Sequence, residues 1–167
     1  INGDYSVIPN VEMEDLTIGD FNNDGWMDIA YLVSGAAWIA ENNHDSSFST
    51  RRIGGSGATI EAADIDNDTR LDLLLGGEQL EIYFANGTTQ TIDVAGTVQI
   101  VDADLDGDVD LAMSGTEFAI WHQDGTPAEN EFQKIILEAI LEGGQRNNAL
   151  AVGGFVEVSA GGTYQKH

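Results

Sequence analysis

The sequence predicts an all-β fold, a β-propeller or a segment of one, with about four blades of four antiparallel strands each. Two observations predict it. An acidic loop occurs three times, and each copy is followed by short apolar or alternating runs that clusters of Gly, Asn and Asp separate. Such runs indicate consecutive strands joined by turns. Repeats with a period of about 20 to 50 residues are typical of propellers, solenoids and arrays.

The acidic loop reads DFNNDGWMD from Asp20, DIDNDTRLD from Asp64 and DADLDGDVD from Asp102, so its copies are offset by 44 and 38 residues. A fourth, degenerate copy begins near residue 138. There GGQRNN stands in place of the acidic loop, and ALAVGG matches LLLGG of the second copy. Because this copy has lost the carboxylates, we expect it to hold no metal ion.

The second copy shows the strands of one blade most clearly. ATIEAAD is a first strand, the acidic loop turns the chain, and LDLLLGG and QLEIYFA are the second and third strands. NGT is a tight turn, and TQTIDV is the fourth strand. Four strands for each repeat predict that one repeat forms one blade.

The repeats divide the chain into one repeat domain, 1–167. Residues 1–10 are expected to be the last strand of a preceding or closing blade. Blades with a calcium loop are predicted at 11–55, 56–95 and 96–137, and a degenerate or incomplete blade at 138–167. Since the last residues also resemble a fourth strand, either the ends close a ring or the chain is part of a longer repeat protein. NEFQKIILEAILEGG partly suits a helix, but the repeat alignment predicts two strands and a turn.

The spacing of the loop suits a calcium ion. Side-chain oxygens recur at positions 1, 3, 5 and 9, and a backbone carbonyl is available at position 7. Calcium takes six to eight oxygens at about 2.3–2.6 Å, and four carboxylates this close repel one another unless a cation lies among them. We therefore expect about three structural calcium ions. The predicted ligands are Asp20, Asn22, Asp24, the Trp26 carbonyl and Asp28; Asp64, Asp66, Asp68, the Arg70 carbonyl and Asp72; and Asp102, Asp104, Asp106, the Asp108 carbonyl and Asp110.

The second loop departs from the other two at position 6, where Thr69 replaces Gly25 and Gly107. This position often needs a left-handed backbone, which costs a β-branched residue about 1–2 kcal/mol. We therefore expect the second loop to bind calcium most weakly of the three, or to have a different shape. An EF-hand is the rival calcium site, but it needs Glu at position 12 and flanking helices. The chain has Tyr31, Leu75 and Met113 there, and its flanks are predicted strands.

Aromatic residues recur in the predicted third strands. Trp38, Tyr83 and Trp121 follow the last Asp of each loop by 10 or 11 residues. We interpret them as rings packed between blades rather than as a platform for sugars. Trp26 lies inside a loop and is the better candidate for an exposed ring, with capping of the blade edge as the alternative.

The charge excludes some partners. Six Lys plus Arg against 29 Asp plus Glu give a net charge of −23. Nucleic acid and anionic membranes need a basic surface, so neither is expected as a partner. The charge suits a secreted protein in saline or calcium-rich surroundings, or a surface kept acidic for solubility. Cysteine is absent, so metal rather than disulfides is expected to stabilise the fold. No apolar run reaches the roughly 18 residues of a membrane span.

These loops and strands resemble the FG-GAP and VCBS repeat families, whose units carry a D-x-D-x-D-G-x-x-D-apolar loop between the first two strands of a blade. AWIAENNHDSSFSTRRIGG is similar to the second half of a VCBS repeat. The resemblance covers about residues 11–167. It implies a calcium-bound, integrin-alpha-like β-propeller outside the cell or at its surface that serves adhesion, protein interaction or glycan binding.

We therefore expect an extracellular, calcium-stabilised recognition module for a protein or glycan partner, without membrane insertion. One alternative is a structural repeat subunit of a filament or large surface protein, which self-associates through open blade edges. A second alternative is a polysaccharide-acting enzyme domain. Catalysis is not expected, because His44, His122 and His167 are scattered and no nucleophile, phosphate or zinc motif is present.

Overall fold

The computed structural model describes residues 12–123 and the backbone of two further strands, 157–160 and 163–166. All regular elements in these ranges are β-strands, as expected for an all-β protein. Among the described residues, no helix has the length and apolarity that crossing a membrane requires. The predictions for residues 1–10, for the fourth strand of the third blade and for the segment NEFQKIILEAILEGG lie outside the described residues.

The first sheet has four antiparallel strands in chain order: β1 (Leu16–Gly19), β2 (Asp28–Val33), β3 (Ala36–Asn42) and β4 (Phe48–Gly54). Ser34 and Gly35 connect β2 to β3, with φ of 50° and 74°. Two consecutive residues with positive φ make the type I′ turn that suits the twist of a two-residue hairpin.

The second sheet repeats this order, and the third sheet contains three strands. The strands predicted for the second copy coincide with the observed ones to within one or two residues at each end. The remaining strands are β5 (Thr59–Ala63), β6 (Asp72–Gly76), β7 (Leu80–Tyr83) and β8 (Thr89–Ile92); β9 (Thr97–Val101), β10 (Asp110–Ser114) and β11 (Phe118–Trp121); and the antiparallel pair β12 (Glu157–Ala160) and β13 (Thr163–Lys166).

Consecutive sheets pack face to face, with the first strands β1, β5 and β9 next to one another. Every residue of β6 is buried, because this strand has a neighbouring sheet on both sides. Leu73 and Leu75 belong to the core shared with the first sheet, whereas Leu74 belongs to the core shared with the third. A strand covered on both faces reads as a continuous apolar run, which explains LLL in the sequence.

The aromatic residues of the third strands lie where packing between sheets requires them. Tyr83 packs against the core between the first and second sheets, and Trp121 against the core between the second and third. The two occupy equivalent registers, opposite Leu73 and Leu111. Trp38 lies opposite Tyr31 instead, two positions earlier in its strand. One position arises because the β2–β3 hairpin pairs Ile29 with Ala40, one residue further along than the equivalent pairs, and the other because Trp38 follows its loop one residue sooner.

Backbone hydrogen bonds also join the sheets. Gly57 N donates to Gly35 O over 2.8 Å, and Gly96 N donates to Gly77 O over 2.8 Å, so each segment that enters a new sheet contacts a turn of the preceding one. Gly96 has a φ of 138°, and a Cβ there would lie 2.3 Å from Ser114 O. Only glycine therefore fits at this junction.

Candidate metal centres

All three acidic loops connect the first strand of a sheet to the second. They run from β1 to β2, from β5 to β6 and from β9 to β10, and the last Asp of each loop is the first residue of the following strand. Position 12 falls inside these strands, at the buried residues Tyr31, Leu75 and Met113. The flanks are strands rather than helices, so these loops are not EF-hands.

The Asp at position 9 joins its loop to the end of the third strand. Asp28, Asp72 and Asp110 are all 0% exposed. In each, Oδ2 accepts a hydrogen bond from the N–H of position 2, and Oδ1 accepts one from an N–H at or just beyond the end of the third strand. The donors to Oδ2 are Phe21 (3.1 Å), Ile65 (2.8 Å) and Ala103 (2.7 Å), and those to Oδ1 are Asn42 (2.8 Å), Ala85 (2.8 Å) and Gln123 (3.0 Å).

Two other carboxylates organise the loop itself. Asp20 and Asp64, at position 1, each accept hydrogen bonds from the N–H groups of positions 5 and 6 at 2.7–3.0 Å. At position 5, Oδ1 accepts the N–H of position 7 in all three loops. The donors are Trp26 (2.8 Å), Arg70 (2.9 Å) and Asp108 (2.9 Å). The loop is thus folded by its own carboxylates.

The backbone of the three loops has the same left-handed residues, at positions 4 and 6. Position 6 has a φ of 86° at Gly25, 73° at Thr69 and 94° at Gly107. The prediction that Thr69 occupies a left-handed position is therefore confirmed, and this β-branched residue is strained there. Position 4 is left-handed at Asn23, Asn67 and Leu105.

Carboxylate oxygens gather in the second and third loops. Ligand atoms from Asp64, Asp66 and Asp72 all lie within 4.8 Å of one another, as do those from Asp102, Asp104 and Asp106. Two oxygens bound to one calcium ion at about 2.3–2.6 Å lie no more than about 5 Å apart, so these sets fit that ion. Within residues 12–123, the first loop has no such set of three acidic side chains, since Asn22 stands at its position 3.

The gathered carboxylates repel one another, and burial adds to the cost of ionising them. Burial, together with the nearby charges of Asp66 and Asp64, raises the pKa of Asp72 to about 6, against the opposing effect of the Ala85 and Ile65 N–H groups. Burial and neighbouring carboxylates also raise the pKa of Asp28 and of Asp64. A divalent cation would favour the ionised forms and relieve this repulsion.

A basic side chain lies beside each loop. His44 Nε2 is 2.9 Å from Asp24 Oδ2, and its ring stacks on that of Trp26 at 4.7 Å. The guanidinium of Arg70 bonds Asp68 Oδ2, and His122 Nδ1 lies 3.4 Å from Asp110 Oδ2. Sequence reasoning missed both histidines, because they lie at unequal distances along the chain from their loops. Trp26, the candidate for an exposed ring, is 50% exposed.

The pKa of Asp110 is shifted in the opposite direction from that of Asp72. Burial alone raises it, but the N–H groups of Ala103 and Gln123 and the nearby His122 outweigh burial, so the pKa of Asp110 is lowered. The ionised form of Asp110 is thus favoured by the fold even without a metal ion.

Comparison with known proteins shows a similarity over part of the chain. A family model described as an FG-GAP-like repeat matches residues 20–75, whereas no curated protein was found to match the chain. The matched stretch begins at Asp20, includes the first two acidic loops and ends within β6. Part of this chain is thus similar in sequence to FG-GAP-like repeats, whose propeller-like architecture agrees with the antiparallel sheets described above.

Proposed function

We propose that this chain is a calcium-stabilised module of β-propeller type that recognises a protein or glycan partner outside the cell. One observation carries the proposal. The same arrangement of a buried position-9 carboxylate and loop carboxylates recurs at three equivalent places, at the same strand connection of each sheet. Acidic turns kept for solubility alone have no reason to bury one carboxylate in each copy, because burying a charge is costly.

The proposed role of calcium is structural. The position-9 carboxylate already contacts both the loop and the end of the third strand, so an ion held by it would stiffen three strands of the sheet at once. Binding energy at such a site adds to folding stability when the unfolded chain offers no preformed site. We assign no catalytic role to these residues. Any partner would bind at the loops, which rigid sheets position.

The proposed location outside the cell follows from chemistry as well as from the resemblance. Extracellular calcium modules operate at millimolar concentrations, and sites of about 10⁻⁴–10⁻³ M suffice there. A chain with a net charge of −23 stays soluble in such a medium while bound ions reduce its self-repulsion. The same charge disfavours nucleic acid as a partner.

Thermal unfolding in calcium and in chelator tests the calcium part of the proposal. We expect calcium to raise the midpoint markedly, magnesium to raise it less, and calorimetry to detect about three sites. A variant in which Asp66 and Asp104 are both changed to Ala removes one exposed ligand from each of two loops and is expected to lose most of the added stability. Equal midpoints in calcium and chelator, with no heat of binding, would overturn this part.

A further inference from the structure

The arginine residues within 12–123 converge on one cleft. The whole sequence has six Lys plus Arg, and those within residues 12–123 are Arg51, Arg52 and Arg70. All three line a cleft of about 530 Å³ between the first and second sheets, which we call the arginine cleft. Its lining contains no Asp or Glu, although the chain carries 29 of them. The cleft therefore differs in charge from the acidic chain around it.

The walls of the arginine cleft come from both sheets. Arg51 and Arg52 lie on the edge strand β4, and Arg70 extends from the second acidic loop. Apolar and aromatic residues line the space between them, and polar side chains contribute at the first acidic loop and at the turn before β8. These further lining residues include Ile39, Leu73, Tyr83, Phe84, Asn22, Thr88 and Thr89.

The three guanidinium groups differ in how far they are already paired. Arg51 Nε donates to Glu41 Oε1 over 2.7 Å, and Arg70 bonds Asp68. Arg52 is exposed, and no carboxylate of the described residues lies within ion-pair distance of it. As far as the described residues extend, its donors are thus available to an external acceptor.

We propose that the arginine cleft binds the carboxylate of an acidic saccharide, such as a uronic-acid unit, with Arg52 as the principal contact. A guanidinium matches a carboxylate with two parallel hydrogen bonds. The Thr88 and Thr89 hydroxyls suit sugar hydroxyls, and the ring of Tyr83 suits the C–H face of a sugar. This inference deepens the proposed recognition function and depends on it for its biological meaning.

Size and position favour a saccharide unit over an acidic peptide. The volume falls in the range of about 300–1,000 Å³ that is usual for small-ligand sites. The lining consists of side chains from two sheets, so recognition there would depend on side-chain contacts rather than on the backbone pairing by which an extended peptide adds to the edge of one sheet. An acidic peptide is the competing outcome of the test.

The test is calorimetry on the full chain in saturating calcium, with a uronic-acid disaccharide and a neutral disaccharide of the same linkage. We expect the acidic sugar to bind at least tenfold more tightly. Arg52→Gln is expected to weaken its binding about ten- to a hundredfold, in line with loss of one charge-assisted contact. Thr116→Glu, in the exposed turn of the third sheet, makes the same change in net charge and is the matched control.

Each outcome decides the proposal. An equal loss of affinity for the acidic disaccharide in Thr116→Glu would mean that only long-range charge acts. It would overturn the assignment of binding to the arginine cleft. Binding of a glutamate-rich hexapeptide without binding of the acidic disaccharide would overturn the saccharide assignment while leaving the recognition module intact. Binding of neither probe would overturn the inference. These results are independent of calcium-dependent unfolding, which tests the metal sites, and the melting curve of Arg52→Gln confirms that this variant folds.

Discussion

The side-chain amide of Asn67 donates a hydrogen bond to Asp108 Oδ1 over 2.9 Å and so connects the second acidic loop to the third. The equivalent Asn23, at position 4 of the first loop, donates to Thr69 O over 3.2 Å. Successive loops are thus linked by the same residue type at the same position. We expect the stability of neighbouring loops to be coupled.

A double-mutant cycle on Asn67→Ala and Asp108→Ala measures this coupling. Asp108→Ala removes the side chain but keeps the position-7 carbonyl that is the predicted ligand. We expect an interaction energy of about 0.5–1.5 kcal/mol from chemical denaturation. The cycle cancels the cost of placing Ala at the positive φ of residue 67. The pair Asn86→Ala and Asp108→Ala, on separate sheets, is the control and should be additive; equal coupling in both pairs would contradict the link.

Replacement of a position-9 carboxylate should destabilise the protein even without metal. Asp110→Asn leaves one of two half-buried N–H donors, those of Ala103 and Gln123, facing an amide NH₂ group. We expect a loss of about 2–3 kcal/mol in chelator, measured by urea unfolding. Asp102→Asn is the matched control, because Asp102 is exposed, and should change stability only in calcium. Equal effects in chelator would argue against a separate structural role for position 9.

Thr69→Gly should stabilise the second loop. The residue has a φ of 73°, which glycine adopts without the strain of a β-branched side chain, and its N–H bond to Asp64 is kept. The greater freedom of glycine in the unfolded chain offsets part of the gain, so we expect about 0.5–1 kcal/mol. Thr91→Gly, in the regular strand β8, is the control and should lower the melting temperature. A lower midpoint for both variants would contradict the strain at position 69.

The stability of the metal-free protein should fall as pH rises. The pKa of Asp72 is about 6 in the fold and near 3.8 in the unfolded chain, so the folded state binds the extra proton between these values. Protonation of Asp72 adds about 2–3 kcal/mol to the free energy of unfolding. This contribution is fully present below about pH 4 and is lost above about pH 6. Denaturation in chelator at pH 5 and pH 7 measures the difference. Asp72→Asn should reduce the difference in unfolding free energy between pH 5 and pH 7. If the difference is unchanged in that variant, groups other than Asp72 cause it.

Calcium binding should depend on pH in the opposite direction from the stability of the metal-free protein. Metal ligands must be deprotonated, so protons compete with calcium at Asp72 and its neighbours as the pH falls towards 6. We therefore expect calcium affinity to be lower at pH 5 than at pH 7, as measured by calorimetry. The pKa values of Asp28, Asp64 and, in the third loop, Asp104 shift in the same direction as that of Asp72, whereas the pKa of Asp110 is lowered. The position-9 ligand of the third loop should therefore stay ionised to lower pH than that of the second.

The loops and the strands of the second copy were predictable because their signals are local. Carboxylates at alternate positions followed by an apolar run specify a turn between two strands, and the left-handed position of Thr69 follows from its alignment with Gly25 and Gly107. The shift of Trp38 relative to Tyr83 and Trp121 was not predicted. Strand β2 is one residue longer than β6 and β10 and ends in a two-residue rather than a three-residue turn, which moves the pairing by one position, and Trp38 also follows its loop one residue sooner. The spacing from the loop does not reveal the change in strand and turn length.

The sequence by itself determined the all-β class, the position of the acidic loops between first and second strands, and the left-handed backbone at position 6, since each depends on neighbours along the chain. Only the tertiary structure decided that His44 meets Asp24, that Asn67 reaches Asp108, and that Arg52 and Arg70 share a cleft. These contacts join residues 18 to 41 positions apart. They arise from how one sheet turns and packs on the next, which the repeat pattern leaves unspecified.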